Sequence, residues 1–387
     1  MMIQTWALLV DAYRELNSKK MFWIVLILTA VVLAAFATLG VSGDQLTVLW
    51  YAPFGHVPGA IFIYKTIFSY LVVGIWFTWI AVLLALISTA GIFPDFLSAG
   101  SIDLYLAKPI GRLRLFFTKY VAGLLFVLLQ VAFFAVVSFF ILGVRGHSWQ
   151  PGLFWSIPII LLFFSYLYAI CTLLGVMTRS TVAALLLTLL VWFGIWGVDA
   201  VDRWMVGQIE QQQMMAEDTS DQIDQINQRI AADPASATQA APGDAGDAFR
   251  FYRMRAAGTA ATASSETLEE SREDLKLMRD ENVRLASGFQ TADNIVVLIK
   301  SFIPKTRETT NLLDRVLFSD KDLQAATQAA AGDQPTDERS RRRQERIAQS
   351  WIDPMRNRSA VWVVGTSLAF EAVVLGVAAW LFCRRDY

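Results

Sequence analysis

The chain has 387 residues, of which 55% are hydrophobic and only 17% are charged, a balance unusual for a soluble protein. Its formal net charge of -1 gives no indication of a nucleic-acid-binding protein, so no nucleic-acid partner is expected. The two cysteines, Cys171 and Cys383, fall within or at the end of apolar runs, so neither a disulfide framework nor a cysteine metal site is expected. The composition therefore predicts an integral membrane protein.

The first 20 residues have an amphipathic pattern. Ile3, Trp6, Val10 and Tyr13 recur at helical spacing, with polar residues between them. We predict that residues 1–20 form a helix on the inner membrane surface, with Trp6 and Tyr13 as interfacial anchors. A plain cytosolic tail is the alternative.

Six apolar runs are long enough to span a bilayer, because a hydrocarbon core of about 30 Å requires about 20 helical residues. They cover residues 21–41, 67–93, 115–144, 153–177, 181–201 and 360–383. An even number of spans places both termini on the same side. The predicted fold class is an all-α polytopic membrane protein with six transmembrane helices.

Basic residues near the ends of these runs are distributed unequally between the two sides. One side holds Arg14, Lys19, Lys20, Lys108, Arg112, Arg114, Lys119, Arg179, Arg384 and Arg385. The other side holds only Lys65 and Arg145, if the long segment between the fifth and sixth runs is set aside. The positive-inside rule then predicts a multi-pass protein of the cell (inner or plasma) membrane with cytoplasmic termini and a cytoplasmic loop at residues 94–114. Arginines between 339 and 358 oppose this orientation, but long domains translocate largely regardless of charge.

The long segment, residues 202–358, is predicted to be an extracytoplasmic helical domain. Its first part is helical up to residue 232, and residues 233–263 form a flexible tip of small and polar residues. On the return arm, apolar residues alternate at spacings of three and four, which indicates a coiled-coil seam. The seam residues are Leu268, Leu275, Met278 and Leu285, facing the arm at 223–230. Two independent solvated helices are the alternative. Residues 295–318 are more apolar, break at Pro304 and are expected to pack back on the spans.

Four domains follow from these patterns: the surface helix at 1–20, spans one to five at 21–201, the insertion at 202–358, and the sixth span with its tail at 359–387. None of them contains a Gly-x-x-x-x-Gly-Lys-Ser/Thr loop, so the chain is not expected to bind ATP as P-loop proteins do. The two histidines, His56 and His147, have no neighbouring cluster of catalytic or metal ligands in the sequence. We therefore expect that the chain is not an enzyme and binds no metal.

Glu371 is the one ionisable residue near the middle of a predicted span. A charge at the centre of a membrane helix costs about 2.5–3.5 kcal/mol on insertion scales, and such residues normally face the bundle interior. Glu371 could line a transport path. It could equally be a protonated acid that is hydrogen-bonded for packing. Its candidate partners are Thr366, Ser138 and Ser165.

Two segments resemble the permease subunits of type-two ABC exporters. Residues 100–123, GSIDLYLAKPIGRLRLFFTKYVAG, are similar to the segment after the second span of those permeases. There a Gly, an aliphatic run, a Lys/Arg-Pro step and a basic entry into the third span recur. The C-terminal LFCRRDY, residues 381–387, is similar to their apolar ending followed by Arg-Arg-Asp. The six spans, the surface helix and the cytosolic termini match as well, so the resemblance covers roughly the membrane half of the chain.

The resemblance implies that a coupling element at residues 94–110 contacts a separate cytosolic P-loop ATPase subunit. Its ATPase-coupling residues would be Ile102, Leu104, Tyr105, Pro109 and Arg112, with the turn at Arg179 as a second contact. ATP and Mg would be bound by the ATPase, and this chain would bind no cofactor itself. A second permease subunit, identical or different, would complete the path through the lipid bilayer. The long insertion departs from the family pattern and suggests an extracytoplasmic protein partner.

The implied function is therefore export of an unidentified substrate. The main alternative is a non-transporting membrane anchor or scaffold whose extracytoplasmic hairpin docks a partner. A transporter should be sensitive to changes at Glu371 and in the coupling element, whereas a scaffold should be sensitive mainly in the hairpin. An intramembrane enzyme would need clustered polar residues within the spans, and the sequence lacks them.

Overall fold

The computed structural model describes residues 20–43, 45–49, 60–97, 111–232, 268–317 and 359–384. In chain order, the first helices are α1 (Lys20–Ala37), α2 (Ala60–Ile67), a π-helix (Phe68–Ala81), α3 (Val82–Thr89), α4 (Ile92–Phe96) and α5 (Arg112–Arg145). They are followed by a 3-10 turn (Pro151–Trp155), α6 (Ser156–Thr178), α7 (Thr181–Ala232), α8 (Leu268–Phe302), α9 (Thr306–Leu317) and α10 (Ala360–Arg384). The predicted surface helix at 1–20 lies almost wholly outside the described residues.

Six of the described helical stretches are long and apolar enough to cross a membrane. They are Lys20–Ala37, Ile63–Phe96, Arg112–Arg145, Pro151–Thr178, Thr181–Ala232 and Ala360–Arg384. Apolar side chains along them remain exposed, including Leu190, Val361 and Val373, and such faces suit contact with lipid chains rather than with water. The architecture agrees with the prediction of an all-α polytopic membrane protein.

The first predicted span is shorter than its apolar run, because α1 ends at Ala37. Strand β1 (Leu39–Ser42) follows and pairs antiparallel with β2 (Gln45–Val48) across a turn in which Gly43 has a φ of 59°. Arg145 fixes the end of α1, since its Nε donates to the Ala37 carbonyl at 2.9 Å and its Nη2 to the Thr38 carbonyl at 3.0 Å. A guanidinium satisfies helix-terminal carbonyls and complements the helix dipole.

Helix α6 is the central helix of the bundle, packing against α10, α5 and α9. Its side chains Phe164 and Tyr168 are fully buried, as is Phe134 on α5. Gly123 allows α5 to approach α6 closely, because a Cβ at that position would overlap the Tyr168 hydroxyl. Small residues at such crossings let helix backbones pack where lipid provides no hydrophobic driving force.

The predicted break at Pro304 is confirmed, since α8 ends at Phe302 and α9 begins at Thr306. The backbone N–H of Lys305 donates to Ser367 Oγ at 3.0 Å, and Lys305 Nζ donates to Thr366 Oγ1 at 2.8 Å. The same ammonium lies 4.0 Å from the centroid of the Trp362 ring. Helix α9 therefore packs on α6 and α10, as expected for a segment that returns to the spans.

The chain divides into two compact units, one formed by Met1–Trp196 with Ser301–Tyr387 and the other by Gly197–Lys300. The first unit contains the bundle around α6. The second unit ends at Lys300, well before the end of the predicted 202–358 insertion, because the segment after Pro304 belongs with the bundle. The predicted tip at 233–263 lies outside the described residues.

The second unit contains two helical arms, the later part of α7 and most of α8. On α7, the buried side chains are Ala216, Thr219, Ile223 and Ile226, at spacings of three and four. This is the period of a coiled-coil seam. The arms meet where the ring of Trp204 on α7 makes an edge-to-face contact with Phe289 on α8, with centroids 5.8 Å apart.

The prediction that Leu285 faces the seam is wrong, because Leu285 is 44% exposed, whereas its neighbour Ala286 is only 6% exposed. Leu275 and Met278 are partly buried, and the side chain of Leu268 lies outside the described part of α8. A helix tolerates a step of four as well as a step of three along a seam. A step of four along α8 places the small side chain of Ala286 inside the seam and leaves the side chain of Leu285 outside it.

Candidate functional site

The coupling element predicted from the resemblance is described only at its two flanks. Ile102, Leu104, Tyr105 and Pro109 lie in residues 98–110, outside the described residues. Before this gap α4 ends at Phe96, and after it α5 begins at Arg112.

Both flanks contact the last turn of α10. Arg112 Nη1 donates a hydrogen bond to the Cys383 carbonyl at 3.2 Å. The Phe382 ring lies between Phe116 and Phe96, with centroid distances of 5.7 Å and 5.9 Å, and all three rings are buried. The described parts of the two permease-like segments, residues 111–123 and 381–384, therefore contact each other.

The turn at Arg179 lies at the same end of the bundle. Helix α6 ends there, with Arg179 in the left-handed conformation at a φ of 53°. The backbone N–H of Arg179 donates to the Gly175 carbonyl at 3.0 Å. Gly175 faces α4, since a Cβ on it would be 3.3 Å from Pro94 Cδ. The structure thus brings Arg179, Arg112 and the ends of α4 and α10 to one end of the bundle.

A second candidate site surrounds Glu371, which is 8% exposed on α10. Tyr120 of α5 donates its hydroxyl hydrogen toward Glu371 Oε1 at 2.8 Å, and Ser165 of α6 makes a 2.8 Å contact with Glu371 Oε2. The Tyr120 hydroxyl is also 3.1 Å from the Ser165 carbonyl oxygen. Three helices that are distant in sequence therefore converge on one carboxyl group.

Aromatic rings hold this carboxyl site rigidly. Tyr168 stacks on Tyr120 with centroids 5.0 Å apart and ring planes 12° apart, and Phe164 stacks on Tyr168 at 5.4 Å. These rings, like Gly123 beneath them, lie where α5 crosses α6. Hydroxyls fixed by such packing keep their orientation toward the acid.

Of the three hydroxyl partners predicted for Glu371, the structure brings Ser165 to it. Thr366 instead accepts a hydrogen bond from Lys305 and donates to the Trp362 carbonyl at 2.8 Å. Ser138 is buried elsewhere on α5, with no hydrogen-bond partner for its hydroxyl among the described residues. Sequence reasoning missed the tyrosine. The available signal was a phenolic hydroxyl within an apolar span, which must find a partner when it is buried.

A third polar cluster lies in the second unit. Lys300 Nζ is 3.0 Å from Asp199 Oδ1 and 2.9 Å from Asp202 Oδ2, and we call these three residues the Lys300 clamp. Asp199 and Asp202 lie three residues apart on α7, so they share one helix face. Lys300 is not among the predicted site residues, although it is a lone cation in an apolar stretch of the sequence.

Within the part of the chain that the structure describes, no group of three or more His, Cys, Asp or Glu side chains could hold a metal ion. Cys171 and Cys383 are both free thiols, and Cys171 is buried.

No protein-family model, curated protein or solved structure matches the chain. Its function must therefore be inferred from its own residues.

Proposed function

We propose that this chain is the permease subunit of an ABC-type exporter, a multi-pass protein of the cell (inner or plasma) membrane with both termini in the cytoplasm. It moves an unidentified substrate with energy from ATP hydrolysed by a separate P-loop subunit. The observation that supports this most is the contact between the two permease-like segments, through Arg112 and Cys383 and through the rings of Phe116 and Phe382.

This contact gives the coupling element a mechanical role. A subunit without a P-loop can respond to ATP only through differential contacts that its partner makes with each of its conformations. Residues 98–110 connect α4 to α5, and the packing of Phe96 and Phe116 on Phe382 links both helices to α10. Close-packed interiors transmit small displacements rather than absorbing them. Pressure on the coupling element would therefore move three spans together.

The bundle interior would then form half of the translocation path, the other half coming from a second permease subunit. Glu371 is the candidate path residue, because it is a buried acid held by Tyr120 and Ser165 from two other spans. Intramembrane ionisable residues commonly mark substrate or ion pathways. The coupling contacts at Arg112 and Arg179 would lie on the cytoplasmic side.

The second candidate function is a membrane scaffold that uses the Gly197–Lys300 unit to dock an extracytoplasmic protein. Two observations favour it: the buried seam from Ala216 to Ile226, and the Lys300 clamp, which joins α7 to α8 by ion pairs. In that case the coupling element would bind no ATPase subunit.

Co-purification tests the exporter proposal. The tagged chain is isolated from its own membranes in mild detergent, as wild type and as the double variant Tyr105→Asp, Pro109→Ala. The matched control is Tyr51→Asp, Pro53→Ala, which makes the same substitutions in the loop predicted to lie on the opposite side of the membrane. We expect a P-loop ATPase with wild type and control, and at least a tenfold loss with the coupling variant.

Two results would contradict the proposal. If no ATPase accompanies the intact chain under conditions that preserve complexes, the exporter function fails and the scaffold is favoured. If the Tyr51 control loses the ATPase and the Tyr105 variant keeps it, the orientation is reversed. Intact thermal unfolding of each variant in detergent shows that the loss is not a folding defect.

A further inference from the structure

The carboxyl group of Glu371 sits in a network that has more acceptor atoms than its two hydroxyl groups have hydrogens to donate. Four short contacts surround it. Tyr120 Oη lies 2.8 Å from Glu371 Oε1 and 3.1 Å from the Ser165 carbonyl, while Ser165 Oγ lies 2.8 Å from Glu371 Oε2 and 2.8 Å from the Leu162 carbonyl. Each of the two hydroxyls has a single hydrogen to donate.

Counting hydrogens distinguishes the two protonation states. An ionised carboxylate only accepts, so two hydroxyl hydrogens would have to serve all four contacts. A neutral acid adds a third hydrogen: Glu371 Oε2–H donates to Ser165 Oγ, which releases the Ser165 hydrogen for the Leu162 carbonyl. Tyr120 then donates to Glu371 Oε1. In this arrangement three of the four contacts carry a hydrogen, all but the one between Tyr120 Oη and the Ser165 carbonyl, whereas a carboxylate leaves two contacts without one.

The charged groups around the site give no compensation for a carboxylate. Helix α10, which carries Glu371, packs on α5, α6 and α9. The titratable groups near Glu371 are Tyr120 from α5, which donates to it, Tyr166 from α6, and Tyr168 from α6, which stacks on Tyr120; tyrosine hydroxyls are neutral at ordinary pH. Beside α9, Lys305 is engaged with Thr366 and the Trp362 ring instead. Within the described residues no lysine or arginine pairs with Glu371, and burying an unpaired charge is costly.

We propose that Glu371 is a proton-binding site, occupied by a proton in the state described here. The ligand is a proton carried on Oε2, and the bound proton joins α10 to α6 through Ser165 while Tyr120 joins α10 to α5. Release of the proton leaves a carboxylate. The single hydrogen of the Ser165 hydroxyl is then donated either to Glu371 or to the Leu162 carbonyl. Proton binding thus favours the closed packing of α5, α6 and α10. The site does not require the exporter function, and it can be tested on the isolated chain.

Infrared difference spectroscopy tests the proposal on the purified full-length chain at neutral pH. The spectrum of Glu371→Gln is subtracted from that of the wild type. We expect a carbonyl stretch of a protonated carboxylic acid in the wild type that is missing in the variant and moves to lower frequency in D2O. Glu273→Gln, the same substitution at an exposed position of α8, is the control and should leave no such band in its difference spectrum.

The stability of the glutamine variant is a second readout. Its amide donates to Ser165 Oγ and accepts from Tyr120, as the neutral acid does. We therefore expect Glu371→Gln to fold with a thermal midpoint close to that of the wild type, whereas a glutamine replacing a true carboxylate would unfold earlier. Failure of this variant to fold overturns the proposal.

Ser165→Ala provides an independent check, because it keeps Glu371 and removes the acceptor of its proton. The acid band should shift to higher frequency, as expected for a carboxyl group that loses a hydrogen bond. The proposal is refuted if the wild type shows no acid band at neutral pH, or if Ser165→Ala leaves the band where it was.

Discussion

Replacing Lys300 by methionine should open the end of the Gly197–Lys300 unit that holds the Lys300 clamp. Methionine keeps much of the length and apolar character of the lysine stem, so packing is largely preserved while the ammonium is lost. Asp199 and Asp202 then lose the cation that lies 3.0 Å and 2.9 Å from them. The clamp carries one positive and two negative charges, so the substitution changes its net charge from -1 to -2.

The magnitude follows from burial. Removing one partner of a buried ion pair typically costs about 3–5 kcal/mol, because the other partner is left without compensation. The three side chains of the clamp are between 7% and 13% exposed, so we expect a cost at the lower end of the range of about 3–5 kcal/mol. A loss of about 3 kcal/mol corresponds to roughly a hundredfold change in the local opening equilibrium.

Amide hydrogen exchange measures that opening directly, since protection factors report local unfolding free energies. We expect protection in the first turns of α7 after Gly197 and in the last turns of α8 to fall by about two orders of magnitude in Lys300→Met. Protection in α6, which belongs to the other unit, should not change. Arg279→Met is the matched control on α8, because the ion pair of Arg279 with Asp280 is solvent-exposed and such pairs contribute at most about 1 kcal/mol.

A neutral triple variant separates charge from packing. Lys300→Met combined with Asp199→Asn and Asp202→Asn leaves no unpaired charge, and replacing a buried ion pair by neutral groups is often close to harmless. Protection should therefore recover most of the way to the wild-type value. An unpaired buried charge is not the cause of the opening if Lys300→Met keeps its protection, or if the triple variant is as labile as the single one.

Five further substitutions, which make three predictions, test other parts of the structure. Gly123→Ala should lower the thermal midpoint by overpacking worth about 1–3 kcal/mol, since its Cβ would overlap a buried hydroxyl, whereas Gly365→Ala meets open space in α10 and should be neutral or stabilising. Ala286→Glu should expose the second unit to limited proteolysis while Leu285→Glu should not, and equal sensitivity of both would contradict the corrected seam. Arg179→Gly should raise stability by about 1–2 kcal/mol by relieving a left-handed residue, yet weaken ATPase co-purification; a fall in both would assign Arg179 a structural role.

The spans could be predicted from sequence because length and apolarity are local properties. Each of the six predicted runs overlaps a helix long and apolar enough to cross a membrane. The error at the end of the first run has a long-range cause. Residues 39–41 are apolar enough to continue α1, but Arg145, far along the chain, takes the carbonyls at which the helix ends.

The interior of the Glu371 site was only partly predictable. Hydroxyl residues are few inside apolar spans, so Ser165 could be named among three candidates. Choosing it required the crossing of α6 with α10, which no local pattern encodes. Tyr120 follows Lys119 directly, and at the entry to a span an aromatic residue is more readily interpreted as an interfacial anchor. In the seam, hydrophobicity favoured Leu285, but helix geometry placed Ala286 inside.

Helix α10 is bonded to α5 at two levels, and this limits how it can move. Arg112 holds the Cys383 carbonyl at one end, and Tyr120, about 12 Å further along α5, contacts Glu371. Sliding α10 along α5 would break both bonds at once. Tilting α10 about the Tyr120 contact breaks only the bond at Arg112, next to the coupling element, and leaves the protonated acid in place. Release of the proton leaves Tyr120 donating to Glu371 Oε1 and changes the contact with α6 instead, because the Ser165 hydroxyl can then donate to Glu371 Oε2 or to the Leu162 carbonyl but not to both. A partner at the coupling element would therefore act on the contact of α10 with α5, and proton loss at Glu371 would act on its contact with α6.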